Sequence, residues 1–549
     1  MAQQTQRVKF RKNVDIGSIA AENDRFLKTC FLDTGHFANL VDMEDPKRII
    51  LGRTGTGKTA IINELKKKNW DIVTIDPEAL SLQYLSNSTI LQYLHQLGVH
   101  LELFYKLLWK HIFTVELLKC HYKLDDEQSQ QKFLSSIFSR FGKNKKKRKA
   151  IEYLVEWTGS FFENTEYRVK EITEKLERNV SAEVGFDIKG VSMKTEGGMN
   201  SSVEQKADIF KKAQSAVNSI QIVELNDLVN LMETDIFVDD QKKYFLLIDD
   251  LDKDWVDESI VYELIKALLD TVNDFSHKIR HVKIVVALRE NILEKVLRSQ
   301  GKRGPQREKY DPLYLPLFWT RQELTQLLDL RIDQLFTGQF SSAKTISNSD
   351  VLPQKTKHRE DGLTYILDRT FMRPRDLIHF FNICIKHSID KTVIVWDAIK
   401  LAELEYSKSR LDSLYDEWKE NYPCLDKVFS LFKNFESSFM FEMIPDELLY
   451  KIIDDSFSNQ KNDLKSTNLL DHIVQLYLDS GESAYPTIRL ELFNVLYTVG
   501  FLGVKVGRQG EIKYSFLPNG KLMPEEVNSK MALYIHPAFH RALNVRPLK

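Results

Sequence analysis

Eight consecutive residues, Gly52-Arg53-Thr54-Gly55-Thr56-Gly57-Lys58-Thr59, have the types and spacing of a phosphate cradle, Gly-x4-Gly-Lys-Thr. Glycines let successive backbone N–H groups fold round a β-phosphate, and a helix starting just after them adds partial positive charge. In such a loop Lys58 bridges the β- and γ-phosphates and the Thr59 hydroxyl is a Mg²⁺ ligand. All eight residues are therefore candidates for binding a nucleotide; the plain alternative is an ordinary glycine turn. A second cluster is Leu246-Leu247-Ile248-Asp249-Asp250, an apolar run ending in acid. There Asp249 is expected to hold the Mg²⁺ hydration shell and Asp250 to polarise the attacking water. The bland reading is a strand entering an acidic loop, since Asp252 and Asp254 follow. Arg289 closes the run Ile-Val-Val-Ala-Leu-Arg, where a polar sensor would face a γ-phosphate; a surface ion pair is the alternative. In Met372-Arg373-Pro374-Arg375-Asp376, Arg375 is the candidate to reach the nucleotide from a helical lid, although Pro374 equally suits a plain helix start. No Asn-Lys-x-Asp follows a later strand, so adenine is the expected base and ATP with Mg²⁺ the expected ligand.

Positioning these groups requires a parallel α/β sheet. An apolar strand at 48–51 runs into the glycine loop, a helical stretch at 60–67 follows, and 71–76 is β-branched and ends at Pro77. Strand, loop, helix, strand is a βαβ unit. Sheet-like runs return at 244–250 and 282–288, with an amphipathic helix between them carrying Ile260, Leu264, Leu268 and Val272 on one face. A short strand at 314–317 precedes a helix over 320–336, a helical stretch with the Arg-Pro-Arg-Asp motif, and a long charged helix to about Trp418. Between 78 and 236 the period is mostly helical, with a basic run at 143–149, a charged helix at about 161–179 and, from Val180 on, two alternating runs about Lys189-Gly190 that predict a β-hairpin. Near the end, helical period at 490–499 gives way to a hairpin about the turn at 507–510, a pattern that resembles a winged helix.

Composition sets bounds on these readings. The chain has 549 residues, 43% hydrophobic and 28% charged, with 77 Lys+Arg against 78 Asp+Glu. That is globular and long enough for several cores, and it excludes a generally basic nucleic-acid coat. Four scattered cysteines without a Cys-x-x-Cys pair argue against a disulfide framework or a structural zinc site. The thirteen histidines have no metal-ligand spacing. Neither an apolar leader nor a membrane-length apolar run is present, so a cytoplasmic protein without a membrane partner is expected.

The segments GRTGTGKT, LLIDDLDKDW, VALREN, PLFWTRQELTQLLDLRI, RPRDLIHFFN and IHPAFHRAL together resemble a family of bacterial stand-alone P-loop ATPases near the STAND and KAP groups, the FunZ-like family. The stretch from Ala21-Glu22-Asn23-Asp24 to Phe31-Leu32-Asp33-Thr34-Gly35 is similar to its N-terminal signature. The resemblance covers about 16–76, 240–400 and the C-terminal tail, and hardly touches 78–236. It implies an ASCE-type P-loop NTPase core (1–76 and 241–345); the element pattern above adds a large inserted helical module with a hairpin (77–240), a helical lid (346–420) and a winged-helix-like C-terminal domain (421–549). It also implies an arginine sensor at Arg289 and, from the prophage and defence setting of such families, an anti-phage or DNA-associated role. Active relatives often carry Glu where Asp250 stands, which leaves the hydrolysis rate open.

Three functions fit. The first is a nucleotide-driven switch or sensor, homo-oligomeric and answering to a protein partner or phage trigger; no second catalytic constellation accompanies the nucleotide site. A DNA-dependent ATPase is the second, with Lys505, Arg508, Lys513 and Lys521 near the wing and the 143–149 run as contacts. The helix before the wing carries only Arg489 and Glu491 as charges, little for phosphates or base edges. A scaffold with a structural nucleotide is the third.

Overall fold

A computed structural model describes, apart from short gaps, residues 9–124, 165–184, 210–215, 222–251, 258–298, 307–337, 345–444 and 469–547. The chain divides into two compact units: one of residues 35–51 and 61–316, the other of residues 1–34, 52–60 and 317–549.

The first unit is built on a five-stranded sheet of β1 (Ile49–Gly52), β2 (Asp71–Ile75), β3 (Tyr244–Ile248), β4 (Val282–Arg289) and β5 (Tyr314–Pro316), in the order β2-β3-β4-β1-β5. The pairs β2–β3, β3–β4 and β1–β5 are parallel, with Ile248 opposite Val286 and Leu51 opposite Pro316. Sheets of this kind are covered on both faces, and their strands are accordingly continuous apolar runs. β3 is buried throughout, and β4 at every residue but its last. The edge strand β2 is only half-buried.

Helices α1 (His36–Val41), α2 (Lys58–Lys66), α3 (Thr89–Gln96), α4 (Glu102–Tyr122), α5 (Thr165–Val184), α6 (Ile222–Leu231), α7 (Glu258–Lys278) and α8 (Glu290–Arg298) accompany the sheet in sequence. α4 and α7 share an apolar seam, where Trp109 Nε1 donates to Leu264 O at 2.9 Å and Phe113 meets Phe275 edge-on. One cation breaks the apolar pattern of β4. Lys283 is fully buried, and its ammonium donates to the carbonyls of Asn39 (2.8 Å), Asp42 and Asp45 (3.0 Å), closing the end of α1. Burial lowers its pKa to about 8.

One expectation fails here. The hairpin predicted about Lys189-Gly190 was to begin at Val180, yet 180–184 is the last turn of α5. Val180 and Val184 are four residues apart, a spacing that suits a helix face as well as an alternating strand. The rest of that hairpin and the basic run at 143–149 lie outside the described residues.

The second unit contains α9 (Arg321–Thr337), α10 (Gly362–Leu367), α11 (Pro374–Lys386), α12 (Trp396–Trp418), α13 (Leu425–Leu431), α14 (Leu469–Ser480) and α15 (Tyr485–Val499). Its four-stranded sheet has the order β6-β9-β7-β8, formed by β6 (Ser438–Met440), β7 (Leu502–Lys505), β8 (Ile512–Lys513) and β9 (Ala532–Ile535). The pairs β7–β8, β7–β9 and β6–β9 are antiparallel. The expected C-terminal hairpin is β7–β8, and the sheet extends it by two strands. α15 ends at Gly500, whose φ of +87° is the left-handed cap that glycine supplies cheaply. Among the described residues no helix is long and apolar enough to cross a membrane.

Candidate functional site

The glycine loop leaves β1 and enters α2 at Lys58. Gly55 and Gly57 adopt φ of +82° and +104°, conformations costly to any residue with a Cβ. The carbonyl of Arg53 is the hub inside the turn. It accepts from Lys58 Nζ at 3.1 Å, from Thr56 Oγ1 at 2.9 Å and from Thr56 N at 3.3 Å. Lys58 Nζ also donates to Gly52 O at 2.9 Å, so its ammonium folds back over the mouth of the loop. Thr59, half-buried, lies in the first turn of α2. A Cβ on Gly57 would meet only Trp319, at 4.0 Å. Left-handed glycines, an ammonium, a hydroxyl and a helix N-terminus together match the donor set for a nucleotide phosphate and its metal.

Other elements of the loop's own unit grip it from several sides. Trp319 Nε1 donates to Thr56 O at 2.8 Å. Arg375, in the first turn of α11, takes Gly55 O with its backbone N–H at 3.3 Å, and its side chain covers the glycine so closely that a Cβ there would lie 2.5 Å from Arg375 Cβ. Arg375 Nε donates to Ile19 O at 3.1 Å. That N-terminal stretch is itself fixed, because Asn382 bonds both Ile16 N and Gly17 O at 2.9 Å. Arg331 donates to Ile16 O at 2.8 Å and pairs with buried Asp24 at 2.6 Å. Arg375, chosen from sequence, is thus in contact with the loop.

Its neighbour Arg373 has a different position. At 1% exposure it is part of a buried quartet with Asp376, Arg410 and Glu417. Arg373 Nε pairs with Asp376 at 3.0 Å and Arg373 Nη1 with Glu417 at 3.3 Å; Arg410 approaches the same two carboxylates at 3.7 and 3.5 Å. Burial alone would raise both acids. The two guanidiniums outweigh it and hold Asp376 and Glu417 down at about 2. Arg373 Nη1 also donates to Thr54 O, and Glu417 Oε1 accepts Thr54 N–H at 3.3 Å. The loop's own arginine, Arg53, is buried and points the other way. It donates to Val499 O (2.9 Å), Thr498 O and Ser515 Oγ (2.9 Å), with the rings of Trp418 and Phe516 within 6 Å. Arg373, Glu417 and the Arg53 side chain were not singled out in the sequence. Arg373 shares a motif with Arg375, but nothing local marks Glu417.

The remaining predicted residues are in the sheet unit. Asp249 follows the last residue of β3, half-buried, and its Oδ1 accepts the N–H of Asp250 at 2.9 Å. Asp250 has φ of +59°, a left-handed conformation uncommon outside glycine. Arg289 is the half-buried last residue of β4. β4 lies between β1 and β3, and the parallel pairings put the carboxyl ends of β3 and β4 on one sheet edge. Asp252 and Asp254 lie outside the described residues.

Of the four predicted wing cations, one is engaged in an ion pair among the described residues. Lys513 pairs with Glu526 at 2.7 Å, whereas Lys521 is exposed, Lys505 is half-buried and Arg508 lies outside the described residues. Arg489, on the helix before the wing, donates to Ile444 O at 3.1 Å and to Asp446.

A sequence profile of the FunZ-associated C-terminal helical domain matches residues 322–415. That stretch runs from α9 into α12; it contains Arg373, Arg375, Asp376 and Arg410 and ends just before Glu417. An Escherichia coli (strain K12) protein named "Putative transposon gamma-delta 80.3 kDa protein" is 23% identical over 552 residues, covering 97% of this chain and 67% of that protein.

Proposed function

We propose that this chain is a P-loop ATPase of the ASCE type, working as a nucleotide-driven switch or sensor in a bacterial mobile-element or anti-phage system. The observation that carries the reading is the glycine loop itself. Its two left-handed glycines, and the Lys58 ammonium bonded to the carbonyls of Gly52 and Arg53, match the motif read from the sequence. A sheet in which one strand separates the loop's strand from an acid-ended strand also fits this class.

In this account residues 52–57 cradle the phosphates and Lys58 neutralises them. Thr59 and Asp249 would hold Mg²⁺, whose chemistry when bound is to neutralise charge on the phosphate oxygens. Asp250 orients the attacking water, and its left-handed backbone is the kind of strain found where a side chain must be aimed. Arg375, already against Gly55, offers a cation to the polyphosphate, as does Arg289 from the end of β4. A transposon-named relative favours mobile DNA as the setting.

The same relative keeps a DNA-dependent ATPase as the second reading. Against it, Lys513 and Arg489 are already paired with carboxylates. Turnover of Mg²⁺–ATP with and without double-stranded DNA, beside Lys58→Ala, tests both. The switch predicts slow turnover, indifferent to DNA and absent in the variant. Several-fold stimulation by DNA, with affinity falling steeply between roughly 50 and 200 mM salt, transfers the case to the second reading. Equal turnover by Lys58→Ala would defeat both.

A further inference from the structure

We infer that Glu417 and Arg373 are positioning residues for the phosphate-binding loop: from the buried quartet they set two adjacent peptide planes at Thr54, and through them the Lys58 ammonium. This rests on the nucleotide reading above and names residues outside the motif that make the loop competent.

The argument is geometric. A trans peptide is planar, and its C=O and N–H point in opposite directions. Glu417 Oε1 takes the N–H of the 53–54 peptide at 3.3 Å, which turns that peptide's carbonyl, Arg53 O, the opposite way. Arg53 O is the hub that receives Lys58 Nζ and Thr56 Oγ1. Arg373 Nη1 takes the C=O of the next peptide, at Thr54, which turns the Gly55 N–H away from the quartet. One buried acid and one buried base therefore fix two successive peptide orientations. A loop rich in glycine has little of its own to resist a flip of either plane.

The quartet is suited to this task. All four side chains are 2–4% exposed, and each carboxylate is shared between both guanidiniums. Asp376 and Arg410 keep the other two in register, and Asp376 also takes Phe371 N–H at 3.0 Å. Removing Arg410 or Asp376 disturbs the clamp indirectly, whereas changing Glu417 or Arg373 acts on the loop at once.

The test compares full-length wild type, Lys58→Ala, Glu417→Ala, Glu417→Gln and Arg373→Lys. Mg²⁺–ATPγS affinity is measured by calorimetry, and hydrogen exchange over residues 52–58 is followed without nucleotide. Glu417→Ala is expected to weaken binding about tenfold, the value of one charge-assisted hydrogen bond, and to speed exchange in the loop, at a temperature where the protein is folded. Glu417→Gln keeps an acceptor for Thr54 N–H and should bind within about threefold of wild type despite lower stability, because the peptide orientation survives. Wild-type affinity and exchange in folded Glu417→Ala, or equal losses in the Ala and Gln variants, would overturn the assignment. If Glu417→Ala does not fold, Arg373→Lys decides. Its ammonium keeps the charge without the fork that serves Asp376, Glu417 and Thr54 together, and a loss of about fivefold is expected, unchanged binding overturning the idea. Wild type that binds no ATPγS defeats the nucleotide reading instead, and the exchange data still report whether Glu417 holds the loop.

Discussion

Replacing Asp376 by asparagine removes one carboxylate from a quartet of two acids and two guanidiniums, leaving Arg373 and Arg410 to share Glu417 alone. The magnitude can be worked in two ways. The guanidiniums hold Asp376 at about 2 against a usual 3.8, so its ionisation contributes about 2 kcal/mol of stability at neutral pH, at 1.36 kcal/mol per pKa unit. Breaking a buried ion pair from one side usually costs about 3–5 kcal/mol, because a charge is left uncompensated. Asparagine can still accept Phe371 N–H, so a loss of about 2–4 kcal/mol is expected. The sign with pH follows from linkage. A carboxylate with a depressed folded-state pKa supplies its stabilisation above the unfolded value of 3.8 and loses it as pH falls through about 2. The difference between wild type and Asp376→Asn should therefore be constant from pH 7 to 5 and shrink as pH falls below about 4. Urea unfolding at pH 7, 5, 4 and 3 measures it, with Trp418 fluorescence as the probe in a background where other tryptophans are phenylalanine. A difference under about 0.5 kcal/mol at pH 7, or one that stays constant to pH 3, would refute the reasoning.

Two further outcomes are expected. Gly55→Ala must adopt φ of +82° with its Cβ 2.5 Å from Arg375 Cβ, so it should cost about 1–3 kcal/mol and weaken nucleotide binding more than a Gly→Ala change at half-buried Gly481, where φ is +58° and nothing lies within 4 Å; equal effects in melting and titration experiments would contradict this. Lys283 has a folded pKa of about 8 against 10.5, so wild type should gain stability relative to Lys283→Met as pH rises from about 8 to 10.5, by roughly 2–3 kcal/mol; guanidinium unfolding at pH 7.5 and 10 with a constant difference would show that the ammonium is not desolvated.

The sheet was legible because burial on both faces leaves its mark on composition: the runs at 244–248 and 282–289 are apolar almost without interruption. The glycine loop was legible because glycine spacing is a local property, and Pro374 marked the first turn of α11 for the same reason. What escaped was tertiary. Glu417 meets Thr54 across 363 residues of sequence and Arg53 reaches Thr498 across 445, and no periodicity records such pairings. Arg375 and Arg373 look alike in the motif; only the fold shows one against Gly55 and the other in the buried quartet. The strands of 3 and 4 residues that widen the C-terminal sheet, β6 and β9, are too short to carry an alternation distinct from their surroundings. At Val180 the error came from a pattern shared by helix and strand, and the charged helix simply continued.

The most direct measurement is the affinity of the full-length protein for Mg²⁺–ATP and Mg²⁺–GTP by titration calorimetry, with Lys58→Ala in parallel. Binding of ATP in preference to GTP, lost by a factor of ten or more when the Lys58 ammonium is removed, is the predicted result. Equal affinity in the variant, or no binding of either nucleotide by a folded wild type, would contradict the account.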